Sequence, residues 1–282
     1  MLSSPHSLAE RLLLAGTLMF PATASGALES PWVNTDKAEV RLLAAGPTRG
    51  DTKVLRGGIE IRMARGWYTY WRYPGDAGIP PRFDWAGSGN IASIEVLWPG
   101  PQRIAVDAGL ESIGYRNEAV FPLHIRAKDP SRPVSLRLKL DFGVCEKICI
   151  PAEAKLALDI PPGLSAEQSA LQSAEARIPI SVPIGETQNG LAVMTAKLDR
   201  GEKPRALIEI AVPPGKPFDL FAEGPSEEWA LPLPQRLKTE AGRAHFAVAL
   251  DGAPAGSSPI PSRLRLTLVA GNRAIEVVTP LD

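Results

Sequence analysis

The chain has 282 residues, enough for two ordinary domains rather than one small core, and 44% of them are hydrophobic. Lysine plus arginine and aspartate plus glutamate both total 31, so no global field directs the chain to nucleic acid or to an anionic membrane surface. The 28 prolines and 25 glycines are scattered, which favours short strands joined by turns over long helices or disorder.

Residues 1–27 read as an export signal. Arg11 precedes the apolar run Leu12 to Phe20, and the small residues Ala22 to Ala27 suit a signal peptidase, with cleavage after Ala24 or Ala27. That run is too short to span a bilayer, and no later segment approaches the length of a span. The mature chain is therefore expected to be exported, soluble and in an oxidising compartment where two cysteines can pair.

Residues 30–162 carry a β pattern. Val40 to Ala44 and Thr52 to Met63 come first. Gly66-Trp67-Tyr68-Thr69-Tyr70-Trp71-Arg72-Tyr73 follows, and period two puts Trp67, Thr69, Trp71 and Tyr73 on one face and Tyr68, Tyr70 and Arg72 on the other. Pro74-Gly75 and Gly78 then make a turn-rich loop. Arg82 to Trp85, Ile91 to Pro99, Ala119 to Ile125, Val134 to Phe142 and Lys155 to Ile160 continue the set. Alternation places Val134, Leu136, Leu138, Leu140 and Phe142 inward. About seven to nine strands with turns between them predict an immunoglobulin-like sandwich.

Residues 163–180 predict a helical linker. Ser165 stands as N-cap with Gln168 at the capping-box position, on a surface helix that ends before Pro179. Residues 181–282 predict a second β-sandwich domain with no nucleophile or metal constellation. The fold class is thus all-β: two sandwiches, the first immunoglobulin-like, joined by a short helix.

The chemistry concentrates in Phe142 to Pro151, which holds both cysteines. The flanking strand and Pro151 argue against a helix there. A three-residue loop at a hairpin tip would set Cys145 opposite Cys149, within disulfide reach. A bond across so short a loop removes little entropy from the unfolded chain. That favours a working redox couple, open to thiolate attack, over a structural staple. The staple stays open, and so does a soft-metal clip such as Cu(I) on two thiolates. No hydrolase, phosphate-loop or dinucleotide motif is present, and His124 and His245 stand alone in strands. No cofactor is implied.

The ordered set Gly66 to Gly78, Trp98-Pro99, Gly114-Tyr115 and Val144-Cys145-Glu146-Lys147-Ile148-Cys149-Ile150-Pro151 resembles the periplasmic N-terminal region of the protein-disulfide reductase family DsbD, ScsB-type members in particular. The resemblance spans about residues 32–162. It implies a periplasmic domain whose cysteine pair takes electrons from a thioredoxin-like domain fed by a membrane relay. The pair passes them to thiol proteins such as disulfide isomerases or cytochrome-maturation thioredoxins. Carried over, Cys149 is the attacking thiol and Cys145 the resolving one. The family's cap loop corresponds in order to Arg103–Ser112, with Asp107, Leu110 and Glu111 near its tip, although the family's cap aromatic has no clear match. The family's reductases continue into a membrane domain and a thioredoxin domain, so here the relay is expected to be a separate protein. The rival expectation is a non-catalytic exported binding or assembly module with a structural disulfide.

Overall fold

The computed structural model describes residues 1, 28–48, 51–106, 109–240 and 242–281. The export signal predicted at residues 1–27 and cap residue Asp107 therefore lie outside the described residues, apart from Met1. In chain order the first half contains β1 (Leu28–Glu29), β2 (Val33–Asn34), β3 (Ala38–Thr48), β4 (Asp51–Met63), β5 (Tyr68–Gly75), β6 (Arg82–Asp84), β7 (Ile91–Val96), β8 (Gln102–Ala105), β9 (Glu111–Arg116), β10 (Glu118–Ala127), β11 (Val134–Cys145) and β12 (Cys149–Ile160). Helix α1 (Ser169–Glu175) follows. Then come β13 (Ile180–Ser181), β14 (Ala192–Asp199), β15 (Arg205–Ala211), β16 (Phe218–Glu223), β17 (Gln235–Glu240), β18 (Arg243–Ala249), β19 (Arg263–Ala270) and β20 (Arg273–Pro280).

The architecture is all-β and immunoglobulin-like. One sheet runs β1-β3-β4-β10-β7 with β2 against β3. Its partner runs β12-β11-β5-β9-β8 with β6 against β11. Between them sit Val40, Leu42, Ile59, Ile61, Phe121 and Leu123 from the first sheet, and Trp71, Ile113, Leu136, Leu138, Leu140 and Phe142 from the second. The alternation read from Val134 to Phe142 thus delivers its side chains to this core, where burying apolar surface drives sheet packing. The motif pairs Trp98-Pro99 and Gly114-Tyr115 meet here, because the buried Tyr115 hydroxyl donates to the Pro99 carbonyl at 2.8 Å. Two further sheets, β13-β20-β19-β16 and β14-β15-β18-β17, enclose a second cluster that includes Leu220, Phe246, Leu264, Leu266 and Val277. The first cluster reaches across to include Phe221 and Leu233 of the second half.

The helix departs from its predicted start. Gln168, not Ser165, is the N-cap residue, and no side chain caps the helix. The preceding segment is engaged elsewhere: Ala166 O accepts from Gly46 N at 2.8 Å, and the Gln168 side chain donates from Nε2 to Leu28 O at 3.2 Å. Helical geometry can begin only once that edge pairing ends. Nor does α1 lie free on the surface. Leu171 is fully buried, a Cβ on Gly58 would stand 3.2 Å from its Cδ1, and Arg56 binds both Glu175 and Glu167.

Candidate functional site: a disulfide at a hairpin tip

Strands β11 and β12 pair residue for residue from Val134↔Ile160 to Cys145↔Cys149, with no bulge. An unbroken register of this length aims both cysteines at the hairpin tip. The turn Glu146-Lys147-Ile148 is closed by Glu146 N–H donating to Ile148 O at 3.2 Å. The sulfurs are bonded to each other, with Cα atoms 4.2 Å apart. Their environments differ: Cys145 is fully buried and Cys149 is exposed.

The face of β5 opposite the main core lies beneath this pair. Cys145 pairs with Tyr68 across β11 and β5, and Tyr68, Tyr70, Ile104 and Cys145 form a small buried cluster of their own. The Trp67/Trp71 face enters the main core, as alternation demands. The Tyr70 hydroxyl reaches both sulfurs, 2.7 Å from Cys145 Sγ and 3.2 Å from Cys149 Sγ. Disulfide sulfurs carry no proton, so here the phenol donates. Burial, and next the neighbouring Tyr68, push the Tyr70 pKa well above its usual value, so the phenol keeps its proton throughout the neutral range.

Glycines hold that ring in place. A Cβ at Gly78 would stand 2.4 Å from Cδ1 and Cε1 of Tyr70, and one at Gly143 would stand 3.2 Å from Cε2. The ring is therefore slotted against bare backbone that no other residue type provides. The loop carrying Gly78 is tied across the sheet. Ile79 O accepts from Gly143 N at 3.3 Å, Ala77 O accepts from the Ser112 hydroxyl at 3.1 Å, and Asp76 Oδ2 accepts from Glu111 N at 2.9 Å. Thr69, fully buried, donates its hydroxyl to Gly143 O at 2.8 Å.

The Arg103–Ser112 segment is a hairpin rather than an open loop, with β8 and β9 paired from Gln102↔Gly114 to Ala105↔Glu111. Ile104 brings this hairpin onto the tyrosines and Cys145. Leu110 is exposed, and the Glu111 carboxylate accepts from Arg103 Nη1 at 2.6 Å. Ile148, 66% exposed, leaves apolar surface next to Cys149 in the chain, and Ile79, 44% exposed, lies against Gly143. Among the described residues, no group of three or more His, Cys, Asp or Glu side chains is placed to hold a metal ion.

Residues 39–161 match the family model described as thiol:disulfide interchange protein DsbD, N-terminal. This stretch is a DsbD-type N-terminal region. The match takes in the whole cluster from Tyr68 to Cys149. The fold of the DsbD-type region and the half that follows it resembles the crystal structure of the N-terminal periplasmic domain of ScsB from Proteus mirabilis. The TM-score is 0.67 at 20% identity, over 91% of this chain and 99% of that one. No curated protein matches the chain. At the level of the family, the chemistry of the DsbD-type region is thiol–disulfide interchange.

Sequence reasoning found both cysteines and set the aromatic strand and the Arg103–Ser112 segment around them, but it did not single out Tyr70 or Ile104 as the contacts, nor Gly78 and Gly143 as the slot for the ring. Alternation had already put Tyr68 and Tyr70 on the face opposite the core tryptophans. Two large aromatics on a face with no second sheet to cover it were the signal available.

Proposed function

We propose that the chain is a periplasmic thiol–disulfide interchange protein that passes electrons through Cys145 and Cys149 to or from partner thiol proteins. The observation carrying this reading is the asymmetry of the pair in a DsbD-type region: one sulfur exposed at a hairpin tip, the other buried under a neutral phenol. In the reduced pair the Cys149 thiolate attacks a sulfur of the partner's disulfide. A Cys149–partner bond forms, and the partner's other sulfur leaves as a thiolate that takes up a proton. The Cys145 thiolate then attacks Cys149 Sγ, forming the Cys145–Cys149 bond and expelling the partner's second thiolate, which is protonated in turn. Two electrons and two protons have moved to the partner. An upstream dithiol reverses the sequence, and thioredoxin-like proteins with a separate membrane relay fit as donors and acceptors. Residues 30–162 act as the exchange domain and 181–282 as a second domain, joined through 163–180. The test is electron transfer from the reduced chain to an oxidised thioredoxin-like protein, read by thiol alkylation.

A donor on Cys145 Sγ matters most when Cys145 leaves as a thiolate. Hydrogen bonds to charged groups contribute about 1.5–3 kcal/mol. Tyr70→Phe should therefore slow reduction of the disulfide by dithiothreitol roughly tenfold or more at neutral pH. An unchanged rate would remove the phenol from the chemistry.

The tyrosines also set an alkaline limit. Burial, then the Asp76 and Glu223 carboxylates, push Tyr73 up to about 12, while burial raises Tyr70 and Tyr115 as well. The folded chain therefore keeps these protons above about pH 10, where unfolded tyrosines lose theirs. Their contribution to stability is complete below about pH 10 and is lost as pH rises through the folded values. The thermal midpoint should fall steadily from about pH 10 to 12, and Tyr73→Phe should flatten the slope.

A further inference from the structure

One strand of the second half touches the cysteine-bearing sheet at three alternate positions. On β16, Leu220 and Ala222 enter the second core, so Asp219, Phe221 and Glu223 face the other way. Asp219 takes two bonds from Arg103, at 2.9 Å from Nε and 3.1 Å from Nη2. Phe221 packs on Trp71 with ring centroids 5.9 Å apart. Glu223 takes two bonds from Arg72, at 2.9 Å from Nε and 2.8 Å from Nη2.

The first-half residues that are gripped stand next to those that surround the sulfurs. Arg103 precedes Ile104, and Trp71 and Arg72 follow Tyr70. Successive side chains on a strand point to opposite faces, so a strand fixed on one face is fixed on the other. The strand ladder does not supply this positioning by itself, because the β5–β9 pairing shifts register between Tyr70 and Gly75. That irregularity comes directly after the residue that meets the sulfurs. Arg72 and Arg103 are partly buried, and bidentate guanidinium–carboxylate pairs hold geometry as well as charge.

We propose that β16 is a brace for the exchange site, with Asp219 and Glu223 as positioning residues that hold Tyr70 and Ile104 against Cys145. The second half thereby sets the reactivity of a disulfide it does not contain. The inference rests on Cys145–Cys149 being an exchange pair. Because Cys149 is already exposed, loosening the brace acts chiefly by misaligning the phenol, so the rate falls rather than rises.

The test is the rate at which dithiothreitol reduces the disulfide of the full chain carrying Asp219→Asn with Glu223→Gln. A slowing of about fivefold or more is expected, the lower end of a typical coupling between sites. In a Tyr70→Phe background the same pair of substitutions should change the rate less than about twofold, because the phenol through which they act is gone. Equal slowing in both backgrounds, or none in either, overturns the brace. Glu209→Gln, which removes a carboxylate paired with Arg243 in the second half, should leave the rate unchanged, and equal slowing there also overturns it. Either single substitution serves if the double variant does not fold. Dithiothreitol needs no docking surface, so failed transfer to a protein partner would count against the interchange role and leave this result readable.

Discussion

With Cys145 replaced by serine, the reduced chain should accumulate a covalent adduct with an oxidised thioredoxin-like protein. With Cys149 replaced, it should form none and transfer should fall to background. The asymmetry follows from position. Cys149 is exposed at the tip of the β11–β12 hairpin, where an incoming disulfide can reach it, whereas Cys145 is fully buried among Tyr68, Tyr70 and Ile104. A thiolate must approach its target in line with the S–S bond, and a buried sulfur cannot accept that approach from a folded partner. Cys145 is held where it can attack only its neighbour, so its loss stalls the reaction after the first step. Non-reducing electrophoresis after acid quench reads the adduct. Adducts forming equally through either cysteine would show that burial does not set the order of attack.

Gly114→Ala should be the most damaging conservative change near the site. Gly114 pairs with Tyr70 across β5 and β9 and with Gln102 across β9 and β8. A Cβ there would lie 2.0 Å from Thr69 O and 3.0 Å from Thr69 C, which are backbone atoms of the paired strand with no rotamer to escape through. The strands must separate. Forcing extra bulk into packed structure costs typically about 1–3 kcal/mol, and this site belongs at the upper end. At about 3 kcal/mol the thermal midpoint should drop by roughly 10 °C. The separation also draws Tyr70 from the sulfurs, so slower reduction by dithiothreitol should accompany it. Gly89→Ala is the control. Its Cβ would meet Ser135 Cβ at 3.5 Å, ordinary contact, and the midpoint should move little.

Much of the first half was legible because its signals are local. Alternation from Val134 to Phe142 gave a strand and its buried face, and the spacing of Cys145 and Cys149 gave the hairpin tip. Opposite faces for Trp71 and Tyr70 were legible for the same reason. What escaped either carries no pattern of its own or depends on partners distant in sequence. Strand β17 is exposed along its whole length and shows no apolar period, so only its pairing with β18 defines it. The start of α1 was misjudged because Ala166 and Gln168 spend their polar groups on Gly46 and Leu28, contacts no local motif encodes. The cap segment read as a loop because the resemblance placed it there by order alone, yet it pairs as a hairpin and Arg103 reaches Asp219 and the Pro234 carbonyl. Arg72 was placed beside Tyr70 by strict alternation, whereas the shift after Tyr70 lets it bind Glu223 and Glu276.

Loop length links the chemistry to the choice between couple and staple. A bond between residues four apart in sequence restrains the unfolded chain little, so it adds little to the stability of a sandwich whose core is already extensive. A disulfide kept for exchange must be reducible by other thiol proteins. The reduction potential of Cys145–Cys149, equilibrated against glutathione in the full chain, tests this most directly. A potential less negative than about −300 mV is expected of an exchange pair; a value at or below about −300 mV would mark a structural disulfide and contradict the interchange role.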